Sequence, residues 1–209
     1  GLKTVRLIEQ SNGAAAFVRG DVANPQDNQR MIEAAVERFG RLDIAFNNAG
    51  ISGESNPTHQ YSIEGWDRVI AINLSGVFYG MKYQIPAMLS TGGGAIVNNS
   101  SILGQAGWSG SPAYVAAKHG VIGLTRTAAI EYATAGLRVN AIGPAFIVTP
   151  MIGSAIEDAQ SGAALAALHP VGRLGRVEEV AELVIWLSSD KASFVTGAYY
   201  PVDGGYLAR

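Results

Sequence analysis

Short apolar runs alternate with longer amphipathic stretches along the whole chain. The apolar run at 14–18 is followed by Asn24 and Pro25, which are typical of a helix cap and the first helical turn. Apolar residues then recur at spacings of three and four, and the pattern stops near Gly40. Another short apolar run, 42–46, comes next. This alternation predicts repeated strand-helix units around a parallel sheet, and therefore an α/β fold.

The same pattern predicts the remaining elements. The first ten residues have the pattern of a helix entered partway, and 66–89 carries apolar residues at helical spacing. Between Pro144 and Pro170 the chain is rich in alanine and glycine, so we predict an irregular, mobile lid over 145–170 within a single domain, 1–209. The other predicted elements are strands at 14–18, 42–46, 95–98, 138–142 and 199–202, and helices beginning at Ser111 and spanning 177–187.

Composition and charge narrow the range of functions. Of the 209 residues 48% are hydrophobic, and no apolar stretch in the sequence is long enough for a membrane helix. The 15 basic and 17 acidic residues give a net charge of -2 without basic runs, so neither nucleic acid nor a membrane is an expected partner. Cysteine is absent, which excludes disulfides and thiolate metal sites and fits the cytoplasmic location that we expect. The three histidines are scattered, so no metal site is expected.

A tyrosine and a lysine occur one helical turn apart near the start of a predicted helix. Ser111 can cap this helix and Pro112 can occupy its first turn, so Tyr114 and Lys118 project from one face. Ser101 lies upstream, at the end of a predicted strand. A nearby ammonium stabilises a phenolate, so we expect Lys118 to lower the pKa of Tyr114. The three residues predict an enzyme with an acid/base group usable near neutral pH.

Hydride exchange between a nicotinamide ring and a ketone or secondary alcohol would use these three groups. Negative charge develops on the substrate oxygen in the reducing direction, so the site needs an acid and a hydrogen-bond donor there. Tyr114 can supply the proton, and Ser101 can donate a hydrogen bond to the same oxygen. Lys118 has three donors, some of which could hold the ribose hydroxyls of the cofactor.

Additional motifs extend this set into a family pattern. Asn47-Asn48-Ala49-Gly50 follows a predicted strand, where ligands bind in open parallel sheets, and Asn73 lies within the helical segment 66–89. Together with Ser101, Tyr114-x-x-x-Lys118 and the segment 144–149, they resemble the short-chain dehydrogenase/reductase family over nearly the whole chain. The resemblance implies a doubly wound, Rossmann-like parallel sheet, NAD or NADP as cofactor, a small carbonyl or alcohol substrate, and a homotetramer built through the helices at 66–89 and 112–132.

The resemblance also implies individual roles. Tyr114 would be the catalytic acid/base, Ser101 would orient the substrate, Lys118 would bind ribose, and Asn73 would hold a water that links Lys118 to solvent. From the residue alone, Asn73 is equally well explained as a satisfied buried amide. Asp21 and Val22 would face the adenine, and Ile147 and Thr149 the nicotinamide carboxamide. The complete set of expected cofactor contacts is Asp21, Val22, Asn47, Ala49, Gly50, Tyr114, Lys118, Pro144, Ile147 and Thr149.

The substrate pocket is expected to be mostly apolar. Trp108 is the strongest candidate, because it lies between glycines in the loop that joins Ser101 to Tyr114. The lining favours a ketone or secondary alcohol of modest polarity, although the same scaffold also handles polyols and sugars. The alternatives are a 3-oxoacyl-[acyl-carrier-protein] reductase and a non-catalytic nucleotide-binding relative. The expected pocket residues are Leu103, Gln105, Trp108, Phe146 and Met151.

One part of the family pattern is missing from the sequence. The glycine-rich phosphate loop should join the first strand to the first helix, and nothing before Ala14 has that form. The glycines at 92–94 precede a strand, and those at 104, 107 and 110 lack the required spacing. The acidic or basic residue that distinguishes NAD from NADP belongs to the same first strand-helix-strand unit, so the preference is not predicted. We expect the protein to carry residues before Gly1.

Overall fold

Four parallel strands and the helices between them form the framework of the protein, whose computed structural model describes residues 1–208. The strands are β1 (Ile44–Asn47), β2 (Gly94–Asn99), β3 (Leu137–Pro144) and β4 (Tyr199–Val202). The helices are α1 (Leu2–Gln10), α2 (Pro25–Phe39), α3 (Ile63–Ile70), α4 (Gly76–Leu89), α5 (Pro112–Tyr132), α6 (Gly153–Ile156), α7 (Ala159–Ala167) and α8 (Val177–Ser188). The predicted α/β fold is confirmed.

The strands lie in the order β1-β2-β3-β4, and each pairs in parallel with its neighbours. The register places Asn47 beside Asn98 and Ala141 beside Tyr199. Because all four strands run the same way, their carboxyl ends meet at one edge of the sheet, where ligands bind in such folds. The candidate site is built at this edge.

Successive residues of β2 point to opposite faces of the sheet, and both faces are covered. Ile96 packs in a cluster with residues of α4 and α5, including Met88 and Val121. Val97 packs on the other face against Leu187 of α8. All five of these side chains are at most 1% exposed. Burying each contributes roughly 1.5–3 kcal/mol, so the doubly wound packing fixes the sheet between two helical layers.

The start and end of α2 agree with the sequence signals. The Asn24 side chain accepts hydrogen bonds from the main-chain N–H groups of Gln26 and Asp27, at 2.8 and 3.2 Å. Pro25 occupies the first turn, and the helix ends at Gly40, whose φ of 82° is in the left-handed region that suits glycine. The predicted helix after Asn24 is confirmed.

The strand predicted at 14–18 is wrong. These residues are irregular, and no strand among the described residues pairs with them. An apolar run forms a strand only where a neighbouring strand can accept its main-chain hydrogen bonds, and an alanine-rich run has a weak preference for strand by itself. Without such a neighbour among the described residues, the run is irregular.

The helix predicted over 66–89 is interrupted. A π-helical turn at Ala71–Ser75 separates α3 from α4 and contains Asn73. Such turns insert extra backbone into a helix and often occur at functional sites. Apolar spacing is similar on both sides of the turn, so the sequence pattern predicts one helix where the structure has two.

The segment 145–170 is largely helical, so the predicted irregular structure is wrong. It contains a 3-10 turn at Pro150–Ile152, followed by α6 and α7. The Asp158 side chain caps α7 by accepting a hydrogen bond from the Ser161 N–H at 2.7 Å, and alanine favours helix in the residues that follow. Among the helices of residues 1–208, none is long and apolar enough to cross a membrane.

Candidate active site

Ser101 and Tyr114 meet just beyond the carboxyl end of β2. Ser101 begins a 3-10 turn, and its hydroxyl accepts a hydrogen bond from the Leu103 N–H at 3.1 Å. Its side chain is close enough to Tyr114 to act on the phenol, whose pKa it lowers. Tyr114 is in the first turn of α5, which begins at Pro112 after Ser111; the Ser111 side chain makes no capping hydrogen bond. The Ser101 and Tyr114 side chains are thus neighbours at this end of the sheet.

Lys118 lies one turn further along α5 and carries a buried ammonium group. Its side chain is fully enclosed, and Nζ donates a hydrogen bond to the Asn99 carbonyl at 2.7 Å. Nζ is 5.5 Å from the centroid of the Tyr114 ring, so the two side chains share one face of the helix as predicted. Burial lowers the pKa of Lys118 to about 8. The ammonium therefore predominates at neutral pH and keeps two further N–H donors.

Burial raises the pKa of Tyr114 above its ordinary value, and the Ser101 hydrogen bond opposes this shift only in part. The predicted net lowering of this pKa is therefore wrong. The physical reason is desolvation: removing water from the phenol penalises the phenolate, and this cost exceeds the stabilisation by nearby groups. Tyr114 is consequently a neutral phenol, and a proton donor, near neutral pH.

Asn73 connects the π-helical turn to the segment that follows β1. Its side chain accepts from the Ile51 N–H at 2.9 Å and donates to the Ile51 carbonyl at 2.8 Å. A Cβ placed on Gly50 would be 3.4 Å from Asn73 Oδ1 and 3.8 Å from Lys118 Nζ. Asn73 therefore holds the 47–50 motif next to Lys118, and both ends of its amide take part. The predicted role in a water relay stays a prediction.

A groove with a volume of about 720 Å³ opens beside this motif. Asp21, Val22 and Ala49 line it, so three of the predicted cofactor contacts share one surface. The Asp21 carboxylate accepts a hydrogen bond from the Ala23 N–H at 2.9 Å, which fixes the turn at the rim. The open shape and mixed polarity of this surface fit the adenosine end of a dinucleotide.

The other predicted cofactor residues lie at the same edge of the sheet. The Asn47 side chain, however, points inward: Nδ2 donates to Asn98 Oδ1 at 2.8 Å, and Gln84 donates to Asn47 Oδ1 at 2.8 Å. A cofactor contact from Asn47 would therefore use its main chain. Pro144 ends β3, and just beyond it lie Ile147, which bridges to Gly175, and Thr149.

Aromatic rings gather beside the segment that follows β3. The rings of Trp108 and Phe146 pack edge to face with centroids 5.6 Å apart. Phe146 also contacts the rings of His169, at 5.8 Å, and Tyr206, at 6.3 Å. The sequence predicted the first two residues as pocket lining, whereas the last two carried no recognisable signal.

The remaining predicted pocket residues differ in exposure. Leu103 is buried in the 3-10 turn that Ser101 begins, Gln105 is exposed just after that turn, and Met151 is half exposed before α6. Sequence reasoning also missed Tyr199, whose hydroxyl donates to the Ser101 carbonyl at 2.8 Å. Its position 98 residues away on another strand could not be read from any local motif.

Comparison with known proteins places this geometry in context. A family model described as enoyl-(acyl carrier protein) reductase matches residues 2–207. The chain is 52% identical, over 207 residues, to the cyclohexanol dehydrogenase of Acinetobacter sp. (strain SE19); the match covers 99% of this chain and 80% of that protein.

Two solved structures are also similar. The crystal structure of levodione reductase has a TM-score of 0.93 and 37% identity, covering 99% of this chain and 83% of the other. The structure of ElxO with NADP bound has a TM-score of 0.89 and 35% identity, covering 93% of this chain and 79% of the other. The protein is an oxidoreductase that exchanges hydride between a nicotinamide cofactor and ketones or secondary alcohols. The parallel sheet, the Ser101-Tyr114-Lys118 arrangement and these similarities agree, and the chain belongs to the short-chain dehydrogenase/reductase family.

Proposed function

We propose that the protein interconverts alicyclic secondary alcohols and their ketones, with Tyr114 as acid/base, Ser101 as donor to the substrate oxygen, and Lys118 as the cation beneath them. The observation that carries the proposal is the position of the buried Lys118 ammonium 5.5 Å from the Tyr114 ring centroid, with the Ser101 side chain close enough to lower the pKa of the Tyr114 phenol. A site with one proton donor and one fixed hydrogen-bond donor is suited to an oxygen that gains negative charge.

In the reducing direction the residues act on the carbonyl oxygen. Ser101 donates a hydrogen bond to this oxygen, and Tyr114 delivers its proton as the charge develops. Because burial raises its pKa, Tyr114 holds that proton near neutral pH. The positive charge on Lys118 stabilises the phenolate that remains. In the oxidising direction the same phenolate takes the alcohol proton.

The bound nicotinamide ring would supply or accept the hydride. One N–H of Lys118 is used by the Asn99 carbonyl, so two N–H donors are free for ribose hydroxyls. The groove lined by Asp21, Val22 and Ala49 would take the adenine end, and main-chain groups near Ile147 together with the Thr149 hydroxyl would face the carboxamide. The nearby Arg19 and Asp21 do not decide between NAD and NADP.

The proposed substrate class is supported by an exposed apolar surface and by a relative. Trp108 is 39% exposed and is packed against Phe146, so it offers an apolar face that a saturated ring could cover. The similar proteins include a cyclohexanol dehydrogenase and a levodione reductase. The first of these relatives favours a six-membered alicyclic ring over an open chain.

The test is a dehydrogenase assay on the full-length protein with NAD and with NADP. Cyclohexanol and its open-chain counterpart 2-hexanol are compared, with ketone formation measured alongside reduced nicotinamide. We expect a higher kcat/KM for cyclohexanol than for 2-hexanol. We also expect Trp108→Ala to raise the KM for cyclohexanol by a larger factor than it lowers kcat. Equal kcat/KM for the two alcohols would remove the alicyclic assignment, and no oxidation of any secondary alcohol would overturn the proposed function.

We also propose that the protein works as a homotetramer in the cytoplasm. Phe78 on α4 is 46% exposed and Ile130 on α5 is 83% exposed. Large apolar side chains on exposed helix faces favour contacts between subunits. Light scattering on the purified protein measures the mass directly, and a monomer at micromolar concentration would contradict the proposed assembly.

A further inference from the structure

Tyr199, the first residue of β4, reaches across the sheet to the loop that carries Ser101. Its hydroxyl donates a hydrogen bond to the Ser101 carbonyl at 2.8 Å. β4 pairs with β3, and β3 pairs with β2, so the phenol passes over the intervening strand to the end of β2. This long connection ties the last strand of the sheet to the first residue of the 3-10 turn.

Gly143 provides the room for this connection. A Cβ added at Gly143 would collide with the hydroxyl end of the Tyr199 side chain. The φ of Gly143 is not in the left-handed region, so its backbone conformation does not require glycine. The small residue at this position on β3 is therefore explained by the path of the tyrosine, and the two residues act as a pair.

The hydroxyl of Tyr199 remains a donor at every ordinary assay pH. Burial raises its pKa well above the usual range, and the negative charge of Asp203 raises it further. The Ser101 carbonyl accepts a second hydrogen bond, from the Gly104 N–H at 2.9 Å. Its two acceptor positions are thus occupied by a turn bond and by the phenol.

The position of the Ser101 hydroxyl depends on this turn. Its Oγ accepts a hydrogen bond from the Leu103 N–H within the turn, and the side chain is close enough to Tyr114 to lower the pKa of that phenol. A small rotation of the main chain at Ser101 would move Oγ away from the substrate oxygen, and misplacement of a catalytic donor is costly to the rate. We propose that Tyr199 is a positioning residue that holds the Ser101 hydroxyl in its catalytic orientation through the Ser101 carbonyl.

This inference rests on the proposed function of Ser101, and the test separates the two. Tyr199→Phe removes only the donor, and Tyr200→Phe on the same strand is the matched control, because the Tyr200 ring packs against Trp186 on the other side of the strand. Each of these two substitutions is made both in the wild-type protein and in the Ser101→Ala variant. We expect Tyr199→Phe to lower kcat about 3- to 10-fold, the usual range for one net hydrogen bond, with nucleotide binding unchanged. We expect Tyr200→Phe to leave kcat unchanged.

The double variant decides whether Tyr199 acts through Ser101. If it does, adding Tyr199→Phe to Ser101→Ala lowers kcat by less than about 1.5-fold, because the hydroxyl to be positioned is gone. An equal loss in both backgrounds, or no loss in the wild type, would overturn the inference while leaving the proposed function intact. A Ser101→Ala enzyme with full turnover would overturn the role of Ser101 itself, and the inference with it.

Discussion

The buried charge of Lys118 should make the stability of the protein depend on pH in a defined direction. Burial lowers the pKa of Lys118 from 10.5 to about 8 in the folded protein. Between these two values the unfolded chain binds more protons than the folded chain, so stability rises with pH. Below about pH 8 the buried ammonium lowers the free energy of unfolding by its full amount, and this destabilisation disappears as the pH rises towards about 10.5.

The size of this effect follows from the shift. A pKa lowered by about 2.5 units corresponds to a penalty of roughly 3 kcal/mol at neutral pH. Roughly 2 kcal/mol of this penalty is relieved between about pH 7 and about pH 9.5. Lys118→Met keeps an unbranched side chain, one atom shorter, and removes the titrating group. The variant also loses the hydrogen bond to the Asn99 carbonyl, and any weakening of this bond when the ammonium loses its proton is already contained in the pKa of Lys118.

The assay is urea unfolding of nucleotide-free wild type and Lys118→Met at the two pH values. We expect the free energy of unfolding of the wild type, relative to the variant, to increase by about 2 kcal/mol from about pH 7 to about pH 9.5. The raised pKa of Tyr114 contributes to the pH dependence of both proteins, so it cancels when the wild type is compared with the variant. A difference that stays constant with pH, or falls, would refute the reasoning.

Three further substitutions test the packing of the sheet. Gly93→Ala should destabilise the protein by more than about 2 kcal/mol, and Gly92→Ala by only about 1 kcal/mol. Both glycines have positive φ, but of the two only Gly93 would bring an added Cβ against the Gly136 main chain. Equal urea midpoints for the two variants would contradict the role of that contact. Asn98→Leu should lower the free energy of unfolding by roughly 2 kcal/mol, because Asn47 and Thr125 each lose one of their hydrogen-bond partners. An unchanged urea midpoint would show that the amide network contributes nothing.

The sequence pattern predicted most of the sheet because each strand has a local signature. Strands β1 to β4 lie within about two residues of their predicted positions, since buried parallel strands appear as short apolar runs. The run at 14–18 has the same appearance but no pairing strand among the described residues. Periodicity indicates which faces of an element are apolar, but it does not indicate whether a neighbouring strand is there to pair with it.

The candidate site was predictable where its residues belong to one segment. Tyr114 and Lys118 are neighbours on a helix, and their shared face follows from spacing alone. The pKa of Tyr114 was not predictable, because it depends on how much water the folded chain excludes. Tyr199 was not predictable for a similar reason: its contact with Ser101 exists only after β4 has joined the sheet.

The most direct test of the central claim is hydride transfer by Tyr114→Phe, measured together with nucleotide binding. The variant keeps the ring and removes the proton that the proposed reaction requires. We expect it to bind NAD or NADP as the wild type does and to lose nearly all formation of reduced nicotinamide from a secondary alcohol. Retention of most of the turnover, with binding unchanged, would contradict the assignment of Tyr114 as the acid/base.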